Sequence, residues 1–324
     1  MSYNYLFLLT ISLLSLTSIS GAQSTAGYPS RPIRVLVPYP PGGGTDIIAR
    51  TISTKLGSHL KQQIVIDNRG GGGGNVAHEL TARATPDGYT LMVAISAILT
   101  NPAVNPHTTY DPVRDFTPLM LIARSPYRVV IYPGLPVNTM QELVALAKAK
   151  PGSMNYGSAG SGSAIQLAVE LFRMQTGITI THVPYKGTAP AITDLIAGQI
   201  QMMFAGTLSA APHVKSGRIR ALAVTSIKRR ADAPELPTIS ETVLPGYEAN
   251  EWFSVFAPAG LPKPLIEKLH AELVKTVNDS EVKERLITGG MDFVGSTPAE
   301  LGEVVKRDYA KWTRVVKETG LKPD

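Results

Sequence analysis

VLVPYPPGGGTDIIAR, residues 35 to 50, decides the fold. Val35, Leu36 and Val37 form a short apolar run suited to a buried strand. Pro40 and Pro41 stop sheet pairing, and Gly42 to Gly44 leave the backbone uncovered. Thr45 or Asp46 is expected to cap a helix whose buried stripe is Ile48, Ile52 and Leu56, spaced by four. The opening amides of such a helix have no intrahelical acceptor and carry the positive end of its dipole. With three glycines beside them, they can receive an anion directly on backbone N–H groups, so the stretch reads as an anion seat.

Downstream, Ile64 to Asp67 reads as a second strand, and the five glycines Gly70 to Gly74 form a loop into a helix from Asn75 to about Ala84. Ordering five glycines costs backbone entropy, so this loop is either mobile or pinned by contacts. Pro86-Asp87-Gly88 is a turn, and Tyr89 to Ile95 a third strand. Alternating strand and helix predicts a parallel sheet covered on both faces. In such a sheet Ser96, just past the third strand, lies on the same edge as Gly42 to Asp46. Leu119 to Tyr132 is a long β-favouring stretch broken at Ser125-Pro126, suited to a crossing between lobes. Strand and helix then alternate again to Thr225, and Trp252 to Ala257 is a second β-like segment that returns. Trp252 itself reads as hinge or core. Helices over 264–277, 280–288 and 298–319 end the chain.

With 324 residues, 44% apolar and 17% charged, the chain has material for about two domains of ~150 residues with real cores. Its formal charge of +6 comes from scattered basic residues with no run interleaved with aromatics, which argues against nucleic acid and leaves small acidic ligands. Leu6 to Ile19 is apolar and hydroxyl-bearing and is followed by Ser20-Gly21-Ala22, the pattern of a signal peptide over 1–22 cleaved after about Ala22. It is shorter than the ~20 apolar residues of a membrane span. Its first five residues hold no Lys or Arg. The absence of cysteine suits an exported protein that holds its fold by core size alone.

Asn155 to Ser163, NYGSAGSGS, repeats the opening logic: strand, glycine-serine loop, helix. Ser163 is a good N-cap for a helix carrying Ile165, Val169 and Phe172. Two such seats on separate lobes can grip one carboxylate-bearing ligand; each taken alone also fits a plain strand-to-helix turn.

These motifs resemble a known family. PYPPGGGTD (38–46), DNRGGGGGN (67–75), PDGYTL (86–91), YDPVRDF (110–116), NYGSAGSGS (155–163), HVPYKGTAPA (182–191), ALAVTS (221–226) and LPTISETVLPGYE (236–248) are similar to the tripartite tricarboxylate transporter receptors, the Bug family of periplasmic binding proteins. The resemblance covers essentially the whole mature chain. It implies an α/β, two-lobed periplasmic binding protein fold of type II-like form, with two Rossmann-like lobes joined by two crossovers. Lobe 1 is expected over 23–125 and 250–324, and lobe 2 over 126–249. It implies a monomeric receptor in the periplasm that binds a small organic acid, whether a di- or tricarboxylate or an aromatic carboxylate. Delivery is expected to a transporter of one large and one small membrane subunit, without a cofactor.

By the same resemblance, the carboxylate grip falls on Gly43, Gly44, Thr45 and Asp46 and on Ser158, Ala159, Gly160, Ser161, Gly162 and Ser163. Ser96, Lys186, Thr188 and Gly206 border the cleft, and Tyr39 is either an aromatic wall or ordinary packing. Asp46 either stabilises its own helix dipole or accepts from a ligand hydroxyl or water. Lys186 either pairs with a distal carboxylate or is solvated. After the strand Gln201 to Phe204, many relatives carry an acidic residue followed by Asn, where this chain has Ala205-Gly206. That departure points to an amine-free acid.

Other classes fit less well. A phosphate-binding P-loop needs Gly-Lys-Ser/Thr, and Gly44 is followed by Thr45-Asp46. No serine within Ser158 to Ser163 has the Gly-x-Ser-x-Gly setting of a hydrolase elbow; a serine hydrolase reading would pair one of them with His182 but finds no orienting carboxylate. The six histidines lack metal-ligand spacing. A receptor for a periplasmic sensor domain in signalling remains an alternative to transport.

Overall fold

A computed structural model describes residues 27–321, so the leader expected over 1–22 lies outside the described residues. The first run is β1 (Ile33–Val37), α1 (Gly44–Leu60), β2 (Ile64–Asn68), α2 (Asn75–Ala82), β3 (Thr90–Ile95) and α3 (Ala97–Val104). β4 (Phe116–Ile131) leads to α4 (Met140–Ala149), β5 (Asn155–Ser158), α5 (Ala164–Thr176), β6 (Thr181–Pro184), α6 (Thr188–Ile196), β7 (Met202–Gly206), α7 (Thr207–Lys215), β8 (Arg220–Val224) and α8 (Ile239–Thr242). β9 (Asn250–Pro258), α9 (Lys263–Asn278), α10 (Ser280–Thr288), β10 (Asp292–Phe293) and α11 (Pro298–Thr319) complete the chain.

The strands hydrogen-bond in the order β2-β1-β3-β9-β4-β7-β5-β6, with β8 and β10 also on β4. β2, β1 and β3 are parallel, as are β7, β5 and β6, but β9 and β4 run antiparallel to their neighbours. The sheet is therefore mixed where the alternation predicts it parallel. The two returning segments pair with each other and close the gap between the parallel halves.

β4 is continuous through Ser125-Pro126. Its residues up to Pro126 pair with β9, and from Tyr127 onward it pairs with β7 and β8. The proline thus marks a change of partner and does not end the strand. Its carbonyl accepts from the Thr207 hydroxyl at 2.9 Å, tying the start of α7 to the crossing. Each lobe is the set of helices packed on one parallel half.

The stripe Ile48, Ile52 and Leu56 of α1 is buried, as the spacing requires. Gly43 occupies the N-cap, however, and no side chain caps α1; Thr45 and Asp46 lie inside its first turn. The helix over Ala97–Val104 has no counterpart in the sequence reading, and it carries Pro102 in its interior. Buried contacts outweigh the proline: Ile98 and Leu99 pack in a core with Trp252, Phe256 and Leu301, and Val104 packs with Leu167 and Trp312.

Phe204 on β7 is fully buried between Phe172 of α5 and Tyr247, with ring centroids 5.7 and 6.5 Å away. Truncation leaves a cavity that rigid strand neighbours cannot fill. Phe204→Ala is expected to lower unfolding free energy by about 3–5 kcal/mol, measured by urea denaturation; a loss under ~1 kcal/mol contradicts this packing.

Candidate functional site

The opening loop is held from below. Asp46 is buried, and its carboxylate accepts from the Gly42 amide at 3.0 Å, from Asn68 Nδ2 at 3.0 Å and from Arg50 Nε at 3.0 Å. Burial raises the Asp46 pKa, but Arg50, the Gly42 amide and Asn68 outweigh it and hold the carboxyl below its ordinary range. Asp46 therefore clamps the turn that presents Gly43 and Gly44. Asn68 also donates to the Tyr39 carbonyl at 2.8 Å, so β2 and the proline turn are fixed together.

The five-glycine loop is pinned. The Tyr39 hydroxyl donates to the Gly73 carbonyl at 2.8 Å, and Asn101 Nδ2 reaches the Gly72 and Gly73 carbonyls at 3.1 and 3.2 Å. Gly73 has φ +64°, and a Cβ there would lie 2.4 Å from the Ser161 carbonyl oxygen of the other lobe. Only a bare backbone fits this approach. Further contacts close the same seam: Thr100 donates to the Gly162 carbonyl, and Gly187 lies against Pro40. The lobes are closed on each other.

In the second glycine-serine loop the hydroxyls are already engaged. Ser158 is fully buried, lies 2.6 Å from His182 Nε2 and accepts from the Gly160 amide at 3.1 Å. His182 Nδ1 faces Gln166 at 3.1 Å, where a triad would need a carboxylate. Ser163 caps α5 by accepting from the Gln166 amide, as its position suggests. Ala159 is buried, and Gly160 and Ser161 form the roof against Gly73. Lys186 is exposed at the outer rim of this seam, near Gly73, Ser161 and Tyr185, and Thr188 is the half-buried first residue of α6.

Beneath the roof, three helix starts without side-chain caps converge: α1 after Gly43, α3 after Ser96 and α7 after Gly206. A Cβ on Gly44 would lie 3.5 Å from both the Phe253 ring and the Ser209 hydroxyl, so α1 and α7 face each other across that ring. The hydroxyls of Ser96, Tyr127 and Ser209 are all buried; Ser96 and Tyr127 face each other, and among the described residues none of the three has a further hydrogen-bond partner. Buried polar atoms are normally satisfied, so under-satisfied hydroxyls beside bare helix starts make this a candidate place for a polar guest. The arrangement offers donors and little fixed charge, which suits an anion.

One member of the cluster went unseen in the sequence. Glu251 on β9 is 5% exposed, and its Oε2 lies 2.7 Å from where a Cβ on Gly206 would stand. Ala205-Gly206 suggests that this region lacks a carboxyl; the structure corrects that premise, because Glu251 fills the space the glycine leaves open. Burial pushes its carboxyl up to about 8. Tyr127 and Ser209 were missed as well. The available signal was a lone acidic residue in the apolar segment NEWFSVFAP; Ser209 carried none. Trp252 points to the opposite side, into the core with Phe256, as expected.

Two α/β lobes sharing a paired-strand hinge, with a buried polar cluster between them, define a periplasmic binding protein fold. The family model for the tripartite tricarboxylate transporter family receptor matches residues 48–321, and the chain belongs to that family. It is a periplasmic solute-binding receptor, a transport component and not an enzyme. Among solved structures, it is similar to Rpa4515 of R. palustris, solved with adipate, at 36% identity and TM-score 0.88, covering 92% of this chain and 100% of the other. The periplasmic binding protein BugD matches at 32% identity and TM-score 0.88, with the same coverage. MatC of Rhodopseudomonas palustris, with bound malate, matches at 31% identity and TM-score 0.85, covering 89% and 100%.

Glu251 gives the cluster a pH signature. Its folded-state pKa lies above the unfolded value, so the folded state retains a proton that the unfolded chain has already lost. The resulting stability is complete below pH ~4.5 and is lost as pH rises through about 8. The difference in unfolding free energy between wild type and Glu251→Gln is expected to move against wild type by on the order of 4 kcal/mol across that window. Parallel curves for the two proteins between pH 5 and 9 would contradict a neutral Glu251.

Proposed function

We propose that this receptor captures a small organic acid, a di- or tricarboxylate or an aromatic carboxylate, between its lobes and delivers it to the large and small membrane subunits of a tripartite tricarboxylate-type transporter. The observation that carries the reading is the convergence of three uncapped helix starts with the buried, under-satisfied hydroxyls of Ser96, Tyr127 and Ser209. Similarity to proteins solved with adipate and with malate supports the carboxylate class. In this reading the protein is exported, loses residues 1–22, and works with 23–125 and 250–324 as one lobe and 126–249 as the other.

The ligand carboxylate is taken by the amides of Gly44 and Thr45 and by Ser96, with the start of α7 and Ser209 closing from the second lobe. Gly160 to Gly162 seal the roof, Tyr39 props the five-glycine loop, and Lys186 and Thr188 stand at the rim. Charge-assisted hydrogen bonds contribute roughly 1.5–3 kcal/mol each, so a few of them reach the ~8 kcal/mol of micromolar binding after ordering costs. Seating the charge on neutral donors avoids a buried ion pair and eases release. The ligand shifts the open and closed populations because it touches both lobes.

A thermal-shift screen of the mature protein against di-, tri- and aromatic carboxylates is expected to find a ligand that adds ~2.7 kcal/mol at 100 times its dissociation constant. A panel without one hit rejects the reading. Gly73→Ala places a methyl 2.4 Å from the Ser161 carbonyl oxygen across the seam, in addition to a contact 2.9 Å from Asn101 Oδ1 within its own lobe. A penalty of ~1.4 kcal/mol on closure weakens affinity about tenfold, measurable by titration calorimetry, with the far-ultraviolet spectrum unchanged.

A further inference from the structure

We propose that Glu251 is a specificity-determining residue of this cleft: in its neutral form, its carboxyl donates a hydrogen bond to an oxygen of the bound dicarboxylate. The proposal rests on the carboxylate-receptor reading and names one further donor to the ligand carboxylate at that seat.

The argument begins with position. Glu251 sits on β9 opposite Ser125 of β4, one step before β4 leaves β9 for β7. It therefore lies at the seam both lobes share. Its side chain extends over the bare face of Gly206, where any other residue would collide with it. Gly206 is also the residue from which α7 starts, so the carboxyl stands beside one of the three converging helix starts.

The surroundings then fix the protonation state. The ionisable groups facing Glu251 are the phenols of Tyr39 and Tyr127, each held neutral by burial, which an ionised Glu251 would only reinforce. Burial alone accounts for the Glu251 shift, with no Lys, Arg or His among the described residues offsetting it. The opening amides of α7 favour negative charge nearby, but the incoming carboxylate takes that seat. A second negative charge against it repels, whereas a carboxylic acid supplies one more donor. Such a proton is retained, or taken up, when the acid binds. The same carboxyl in its ionised form would suit a ligand ammonium, so the choice between amine-free and amine-bearing acids falls on this residue.

The test is calorimetric titration of adipate and malate into wild type, Glu251→Gln and Glu251→Ala from pH 6 to 9, in buffers of different ionisation enthalpy. For wild type, affinity is expected to be level at low pH and to fall roughly tenfold per pH unit once Glu251 ionises in the free protein, with proton uptake over that range. Glu251→Gln keeps an uncharged donor and is expected to bind within about threefold of wild type, with the pH dependence gone. Glu251→Ala is expected to bind more weakly at every pH. A level wild-type profile without proton uptake, or loss of dicarboxylate binding in Glu251→Gln, overturns the role given to Glu251 and leaves the receptor reading intact. Binding of amine-bearing acids alone, abolished in Glu251→Gln, also overturns it in favour of an ionised carboxylate. Failure of wild type to bind any carboxylate across the wider acid panel rejects the receptor reading itself.

Discussion

The antiparallel pairing of β4 with β9 is the constraint on which the rest of the molecule depends. Parallel βαβ units build each half of the sheet, but a parallel strand needs a crossover to reach its neighbour. Two strands that pair with each other and then with different halves join the lobes without a further helix. β4 changes partner between Pro126 and Tyr127, so the seam between lobes is one peptide wide there. Proline lacks the N–H that a continuous ladder would use, and its carbonyl is taken by Thr207. The residues nearest this seam, Ser125, Tyr127, Gly206 and Glu251, become the floor of the cleft because the ladder leaves them there.

A second constraint acts across the seam. The lobes meet backbone to backbone, with Gly73 against Ser161 and Gly160 against Gly73, and side chains at these positions would hold the lobes apart. Gly160 has φ +125°, so L side chains are disfavoured there on conformation as well as on space. The entropic cost of five consecutive glycines is met by Tyr39 and Asn101, which hold Gly72 and Gly73 in place from within the first lobe. Close approach excludes water from the polar cluster beneath and strengthens every hydrogen bond made there.

How much of this was legible in the sequence follows the range of the interactions. The strand-turn-helix at residues 35–50 and its repeat at 155–163 are local, fixed by proline, glycine and apolar spacing, and both could be read directly. The Ser163 cap and the α1 stripe belong to the same class. The helix over Ala97–Val104 was hidden because its stability comes from Trp252, Leu301 and Leu167, which are distant in the chain. Asp46 was placed in the right loop, yet its clamp on Gly42 and Asn68 depends on β2 lying alongside β1. Glu251 was beyond reach for the same reason: its meaning depends on Gly206, 45 positions earlier in the sequence, having no side chain.

The distribution of helix caps connects fold to function. α4, α8, α10 and α11 each have a side chain, from Thr139, Thr238, Asp279 and Thr297 respectively, that accepts from an opening amide. α1, α2, α3, α6 and α7, which start along the interlobe face, have none; α9, which starts after Pro262 beyond the far end of β9, is the one other bare start among the described helices. Glycine at the N-cap of α1, α6 and α7 provides no acceptor of its own. A side-chain cap is worth about 1 kcal/mol, so leaving these starts bare costs the empty protein stability. It also leaves their donors available to a ligand. α5 is the exception on that face: Ser163 caps it and Gln166 accepts from the Gly162 amide at 2.7 Å. Its loop is thereby held as the roof, while uncapped donors stand at the floor, where the two lobes share a strand, as the proposed carboxylate seat requires.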